Sequence, residues 1–102
     1  MIRWTTPTFT INLRDAGDVD LTEAEHVYFT VSTKTSTITK TGEDLEVAAQ
    51  SVEVYLSQEE SARLPEGTGE IQLNWTYPNG RRAATVVKQI RIDKNLLREV
   101  VE

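Results

Sequence analysis

At 102 residues, with a formal charge of −5 and no cysteine, the chain is one domain with a thin core that neither disulfides nor thiolate–zinc sites can reinforce. The negative balance argues against a general polyanion binder, and no apolar run approaches the roughly 20 residues that span a bilayer. The opening MIRWTTPTFT lacks the continuous apolar stretch of a signal peptide, so the expected setting is the cytoplasm, or a virion assembled there.

Period two dominates, which marks strands with one buried face. Phe9, Ile11 and Leu13 alternate with Thr8, Thr10 and Asn12 and predict the first strand; a polar break over residues 14–20 follows. Val27, Phe29 and Val31 predict a second strand, Thr37–Thr41 a third, and Leu45 with Val47 a short fourth. Ala48-Ala49-Gln50 turns the chain into a fifth, marked by Val52, Val54 and Leu56. Ser57-Gln58-Glu59-Glu60 has the form of a capping box, so one or two helical turns are expected near residues 57–63, stopped by Pro65 and Gly67. Ile71, Leu73, Trp75 and Tyr77 predict a sixth strand, and residues 82–92 a last one. About seven short strands with almost no helix read as an antiparallel β-sandwich of immunoglobulin-like type. Residues 1–94 would form it, and residues 95–102 an apolar tail, helical or extended.

The stretch NWTYPNGRR (Asn74–Arg82) is a hairpin first. Pro78 presets φ for a turn, and Asn79-Gly80 tolerates positive φ. A three-residue loop would place Trp75 opposite Ala83. An even loop places it opposite Ala84 and keeps Ala84, Val86, Ile90 and Ile92 on the face of Ile71, Leu73 and Trp75, so the even register is expected. Lys88 opposite Ile71 then marks a bulge or a sheet margin. The Asn74-Trp75-Thr76 triplet matches a glycosylation acceptor, but its mid-strand place argues against that use. Tyr77, Arg81 and Arg82 remain free to touch a partner. Two arginines in an acidic chain are thin support for nucleic acid, and a protein partner is the preferred reading.

Other candidates are weighed against plainer roles. Asp15, Asp18, Asp20 and Glu23 do not follow the spacing of a calcium loop and read as a solvated connection. His26, the only histidine, has no second histidine or cysteine with which to share a metal, and no nucleophile motif accompanies it. No cofactor and no enzymatic activity are expected. The threonines of TKTSTITKT (Thr33–Thr41) share parity, yet a crystal-binding face needs several strands patterned alike; β-propensity explains one. Leu96, Leu97, Val100 and Val101 fall on a helical stripe that Asn95 can cap. Eight residues make a marginal helix in water, so these side chains need a surface, either the open end of the sandwich or another subunit. Charge is also uneven. Residues 1–60 hold eleven acidic and four basic side chains, and residues 61–102 five acidic and seven basic. Ordinary solvated surface accounts for this; a polar, head-to-tail contact surface is the other reading.

Taken in order, TPTFTI (Thr6–Ile11), DLTEAEHVYFT (Asp20–Thr30), LSQEES (Leu56–Ser61), EIQLNWTYPNGRRA (Glu70–Ala83) and the terminal NLLREVVE make the chain resemble small proteins encoded in phage and prophage genomes of Gram-positive gut bacteria. The segment Asp20–Phe29 is also loosely similar to one in the immunoglobulin-like N-terminal domain of phage baseplate upper proteins. The resemblance implies a non-enzymatic structural protein of a particle, tail- or baseplate-associated, whose partners are virion components or further copies of itself. It implies no catalytic residues. The rival reading is a host-encoded adaptor or ligand-binding domain that uses the Tyr77–Arg82 tip.

Overall fold

The computed structural model describes residues 1–13 and 19–101. Alternating apolar residues become strands throughout: β1 Thr8–Asn12, β2 His26–Ser32, β3 Thr37–Thr41, β4 Leu45–Ala48, β5 Ser51–Tyr55, β6 Gly67–Thr76, β7 Arg82–Ala84 and β8 Lys88–Ile92. A single helix, α1 Gln58–Arg63, separates β5 from β6, and short 3-10 turns cover Leu21–Glu23 and Gly42–Asp44. One sheet has the order β1-β5-β4; the other runs β3-β2-β6, with β7 and β8 both along the far side of β6. With β7 and β8 counted as one interrupted strand, these are the B-E-D and C′-C-F-G orders of an immunoglobulin sandwich. The chain is thus an all-β antiparallel sandwich, as expected.

The core lies between the sheets. Phe9 of β1 meets Phe29 of β2 with ring centroids 5.4 Å apart, and Phe29, Val31, Val52, Val54, Leu56, Leu64 and Leu73 are fully buried. The capping box forms: Ser57 Oγ accepts from the Glu60 amide at 3.1 Å, and Glu60 Oε1 accepts from the Ser57 amide at 2.9 Å. The N-terminus is fastened as well. Ile2 bridges Asp93 in parallel, and the Arg3 guanidinium donates to the carbonyls of Ala62 and Leu64 that close α1, both at 2.6 Å.

The hairpin after β6 departs from the expected register. Trp75 pairs with Ala83 and Asn74 with Ala84, so the loop is the three-residue Pro78-Asn79-Gly80. Gly80 N–H donates to Tyr77 O at 3.0 Å, Tyr77 N–H donates to Arg81 O at 2.9 Å, and Gly80 sits at φ +86°. A type I turn closed by a left-handed glycine has this geometry. Pro78 is the cause. In a two-residue Asn79-Gly80 loop it would face Arg81 and owe it a backbone N–H that proline lacks. Early in a type I turn the same ring is favoured. Gly80→Ala should therefore cost about 1–2 kcal/mol in urea denaturation, although nothing stands within 4 Å of the added Cβ.

Alternation alone would now turn Ile90 and Ile92 outward. A bulge prevents it. From Trp75 to Ile71, β6 advances four residues while the opposing chain advances five, from Ala83 to Lys88. The surplus falls between Thr85 and Val87, where side chains repair the ladder. Leu73 N–H donates to Thr85 Oγ1 at 3.1 Å, and Gln72 Nε2 donates to Thr85 O at 2.9 Å. The single strand expected over residues 82–92 is therefore two. Ala83 takes the inward place expected of Ala84, and Val86 stands 87% exposed. Beyond the bulge the even register returns: Lys88 faces Ile71, and Ile92 is buried.

Candidate functional site

The predicted contact residues separate along β6, whose two ends are about 30 Å apart. Thr76 pairs with His26 at the hairpin end, and Gly67 pairs with Ile92 where the tail leaves β8. At the hairpin end two of the three tip side chains are engaged within the fold. Tyr77 is half-buried, and its hydroxyl accepts from Trp75 Nε1 at 2.9 Å. Arg82 donates to Asn74 Oδ1 at 3.1 Å across the outer sheet face, while Arg81 is exposed. The fold thus leaves Arg81 as the freest of the tip residues.

At the other end, residues 95–101 form no helix. Asn95 Oδ1 accepts from the Leu97 amide at 3.0 Å, which makes a turn, and Gln58 holds the Val101 carbonyl at 2.7 Å and its N–H at 2.9 Å. The tail is therefore anchored to the start of α1 without burying its apolar groups. Leu96 keeps 86% of its surface, and Leu97, Val100 and Val101 keep about half. Folding back has not covered them.

Two features were not evident from sequence. The first is a cleft of about 480 Å3 beside the start of β2. β3 ends at Thr41 opposite Tyr28, so His26 and Val27 pair with β6 on one side and, among the described residues, with no strand on the other. Its lining is mixed: Ala24 and Val47 stand with Thr22, His26, Tyr28 and Thr41, and the buried Leu21, Val27 and Leu45 lie beneath them. Glu25 also lines it, with an oxygen 3.8 Å from His26 Nε2, and the exposed Glu23, Glu43, Asp44 and Glu46 neighbour lining residues in sequence. Most of its lining comes from residues 21–28, within the segment that carries the likeness to baseplate proteins. The second is an ion pair under the β3 edge. Lys40 Nζ lies 2.6 Å from Glu60 Oε1, with side chains only 15% and 19% exposed. Burial works against the Glu60 carboxylate, but the Lys40 and Ser57 hydrogen bonds outweigh it and hold its pKa below the ordinary value.

The remaining candidates take structural places. Asp20 Oδ1 accepts from the Thr22 amide at 3.0 Å and caps the 3-10 turn; Asp15 and Asp18 lie outside the described residues. Among the described residues, no three His, Cys, Asp or Glu side chains lie together as a metal-binding group, and no helix is long and apolar enough to cross a membrane. The threonine row is wider than one strand. Thr39 and Thr37 of β3 stand beside Thr30 and Ser32 of β2, each hydroxyl pair 3.3 Å apart, while Thr33 folds into the turn and accepts from the Ser36 amide. No protein-family model matches the chain, and no curated protein matches it.

Proposed function

We propose that the chain is a non-enzymatic building block of a phage or prophage particle, tail- or baseplate-associated, that works through protein–protein contacts. One observation carries the assembly half of this reading: Leu96, Leu97, Val100 and Val101 lie uncovered on a tail whose backbone is anchored. Aliphatic groups grouped in this way mark a contact surface. The particle itself comes from the resemblance of Thr6–Ile11, Asp20–Thr30 and Glu70–Ala83 to phage-encoded proteins. A standard interface takes about 800 Å2 from each partner, which is roughly an eighth of the 6791 Å2 of this surface.

The test combines sedimentation velocity, from micromolar to millimolar concentration, with binding to gene products encoded beside it. Concentration-dependent association or retention of a virion component is expected. A strict monomer that binds neither overturns the reading. Arg81→Glu with Arg82→Glu should leave assembly unchanged, because the tip is remote from the tail; loss of assembly would move the contact to the tip.

A further inference from the structure

We propose that two copies of the chain exchange their N-terminal arms, residues 1–3, through a strained hinge at Trp4. The proposal rests on the assembly reading above and names a second copy as the partner. Trp4 is the one described residue other than glycine with a positive φ, at +66°, a region where a Cβ crowds the backbone. Its indole Nε1–H is buried without a hydrogen-bond partner, a second cost at the same residue. Trp4 is half-buried and belongs neither to the core nor to the side chains packed against it, so core packing does not offset the strain. Fixed points on either side impose this geometry. Before Trp4, the Arg3 amide donates to Asp93 O at 3.0 Å, and the Arg3 guanidinium holds the Ala62 and Leu64 carbonyls. After it, Ser61 Oγ donates to Thr5 O at 2.7 Å and the Leu56 amide to Pro7 O at 3.1 Å. The chain turns between these anchors, and Trp4 bears the strain.

Exchange removes the turn and keeps the contacts. On a second copy the arm again bridges Asp93, reaches the carbonyls that close α1, and lays Met1 against the core. Only the hinge differs, which is why swapping is a low-cost route to a dimer, and a short hinge under strain invites it. Thr6 precedes Pro7, whose ring biases it towards extended backbone, so an opened hinge runs straight into the arm. The bond lost is the one that closes the turn, Thr5 Oγ1 to Ile2 O at 2.5 Å. It is exposed, and water replaces it at small loss. The exchange is also placed to engage the tail. Asp93, where the arm docks, stands three residues before the uncovered Leu96, so the crossing arm brings the second copy to that apolar surface. Each copy gives one arm and receives one, and the contact closes as a two-fold dimer.

Disulfide trapping tests this directly, because the chain has no cysteine of its own. Ile2 and Asp93 are bridge partners, close enough for a disulfide. A chain carrying Ile2→Cys alone is mixed at millimolar concentration with one carrying Asp93→Cys alone, under mild oxidation. A crosslinked heterodimer should dominate over either crosslinked homodimer on non-reducing gels. Trp4→Gly relieves the backbone and should weaken dimerisation in sedimentation velocity roughly tenfold. Trp4→Ala removes the indole but keeps a Cβ at positive φ, so it should dimerise more strongly than Trp4→Gly; circular dichroism will check that both fold. Equal dimerisation of the two variants, or a heterodimer no more abundant than the homodimers, overturns arm exchange. If the native chain still associates in that case, the assembly reading stands on another contact. A native chain that stays monomeric overturns the exchange, and the broader reading survives only if a virion component still binds.

Discussion

Phe29→Ala should lower the unfolding free energy by about 3–5 kcal/mol, the largest loss expected from any single truncation in this chain. Phe29 has no exposed surface, and its ring is the β2 half of the contact that joins the two sheets through Phe9. Leu73 faces it across the β2–β6 ladder, and Lys40 faces it across β2–β3. Deleting the ring leaves a cavity that three strands surround and cannot readily close. A domain of this size has roughly 5–15 kcal/mol of stability in total, and here no disulfide makes up the difference. The melting temperature should fall by on the order of 20 °C. Phe9→Ala should cost less, because Phe9 is only partly buried. Equilibrium urea denaturation with an unchanged m-value measures both. A loss below about 1.5 kcal/mol for Phe29→Ala would mean that the sheets do not meet through this ring.

Local chemistry made most of the sandwich readable. Strands β1 to β6 follow the alternation that predicts them, and Ser57 with Glu60 announced α1 because a capping box needs only four consecutive residues. Two local signals conflicted at the hairpin. Facial alternation favoured an even loop, and the missing N–H of Pro78 favoured an odd one. Both were satisfied, since the fold takes the odd loop and then spends one residue on the bulge at Thr85. That outcome depends on Thr85 Oγ1 and the Gln72 amide standing in for ladder groups, which no periodicity reveals. The tail's i, i+1, i+4, i+5 pattern pointed to a helix, but eight residues cannot meet the cost of nucleation alone; the chain turns at Asn95 instead, and Gln58 pins it at Val101. Arg3 to α1, Gln58 to Val101 and Lys40 to Glu60 join residues far apart in sequence. The cleft was hidden for the same reason: its walls come from two separated segments, 21–28 and 41–47.

Glu60 is the second residue whose loss should be felt widely. Its carboxylate serves two purposes at once, closing the capping box on the Ser57 amide and pairing Lys40 at 2.6 Å. Glu60→Ala removes both and leaves Lys40 with little solvent and no carboxylate beside it. A loss of about 2 kcal/mol is expected. Glu60→Gln keeps the box, because an amide oxygen also accepts from Ser57, and should lose less. Lys40→Met combined with Glu60→Gln should lose less than the two single changes added together, since each single change strands a partner that the pair removes. The pH dependence gives an independent reading. Glu60 titrates below its ordinary value of 4.5 in the fold, so its contribution is complete above that pH and is lost as pH falls through the lower folded value. The native chain should therefore exceed Glu60→Gln in stability near neutrality, and the gap should narrow as pH falls below 4.5 and through the lower folded value. Chemical denaturation of both proteins over this range decides it. A gap that persists unchanged to pH 2 would show that the carboxylate is not what Lys40 and Ser57 are holding.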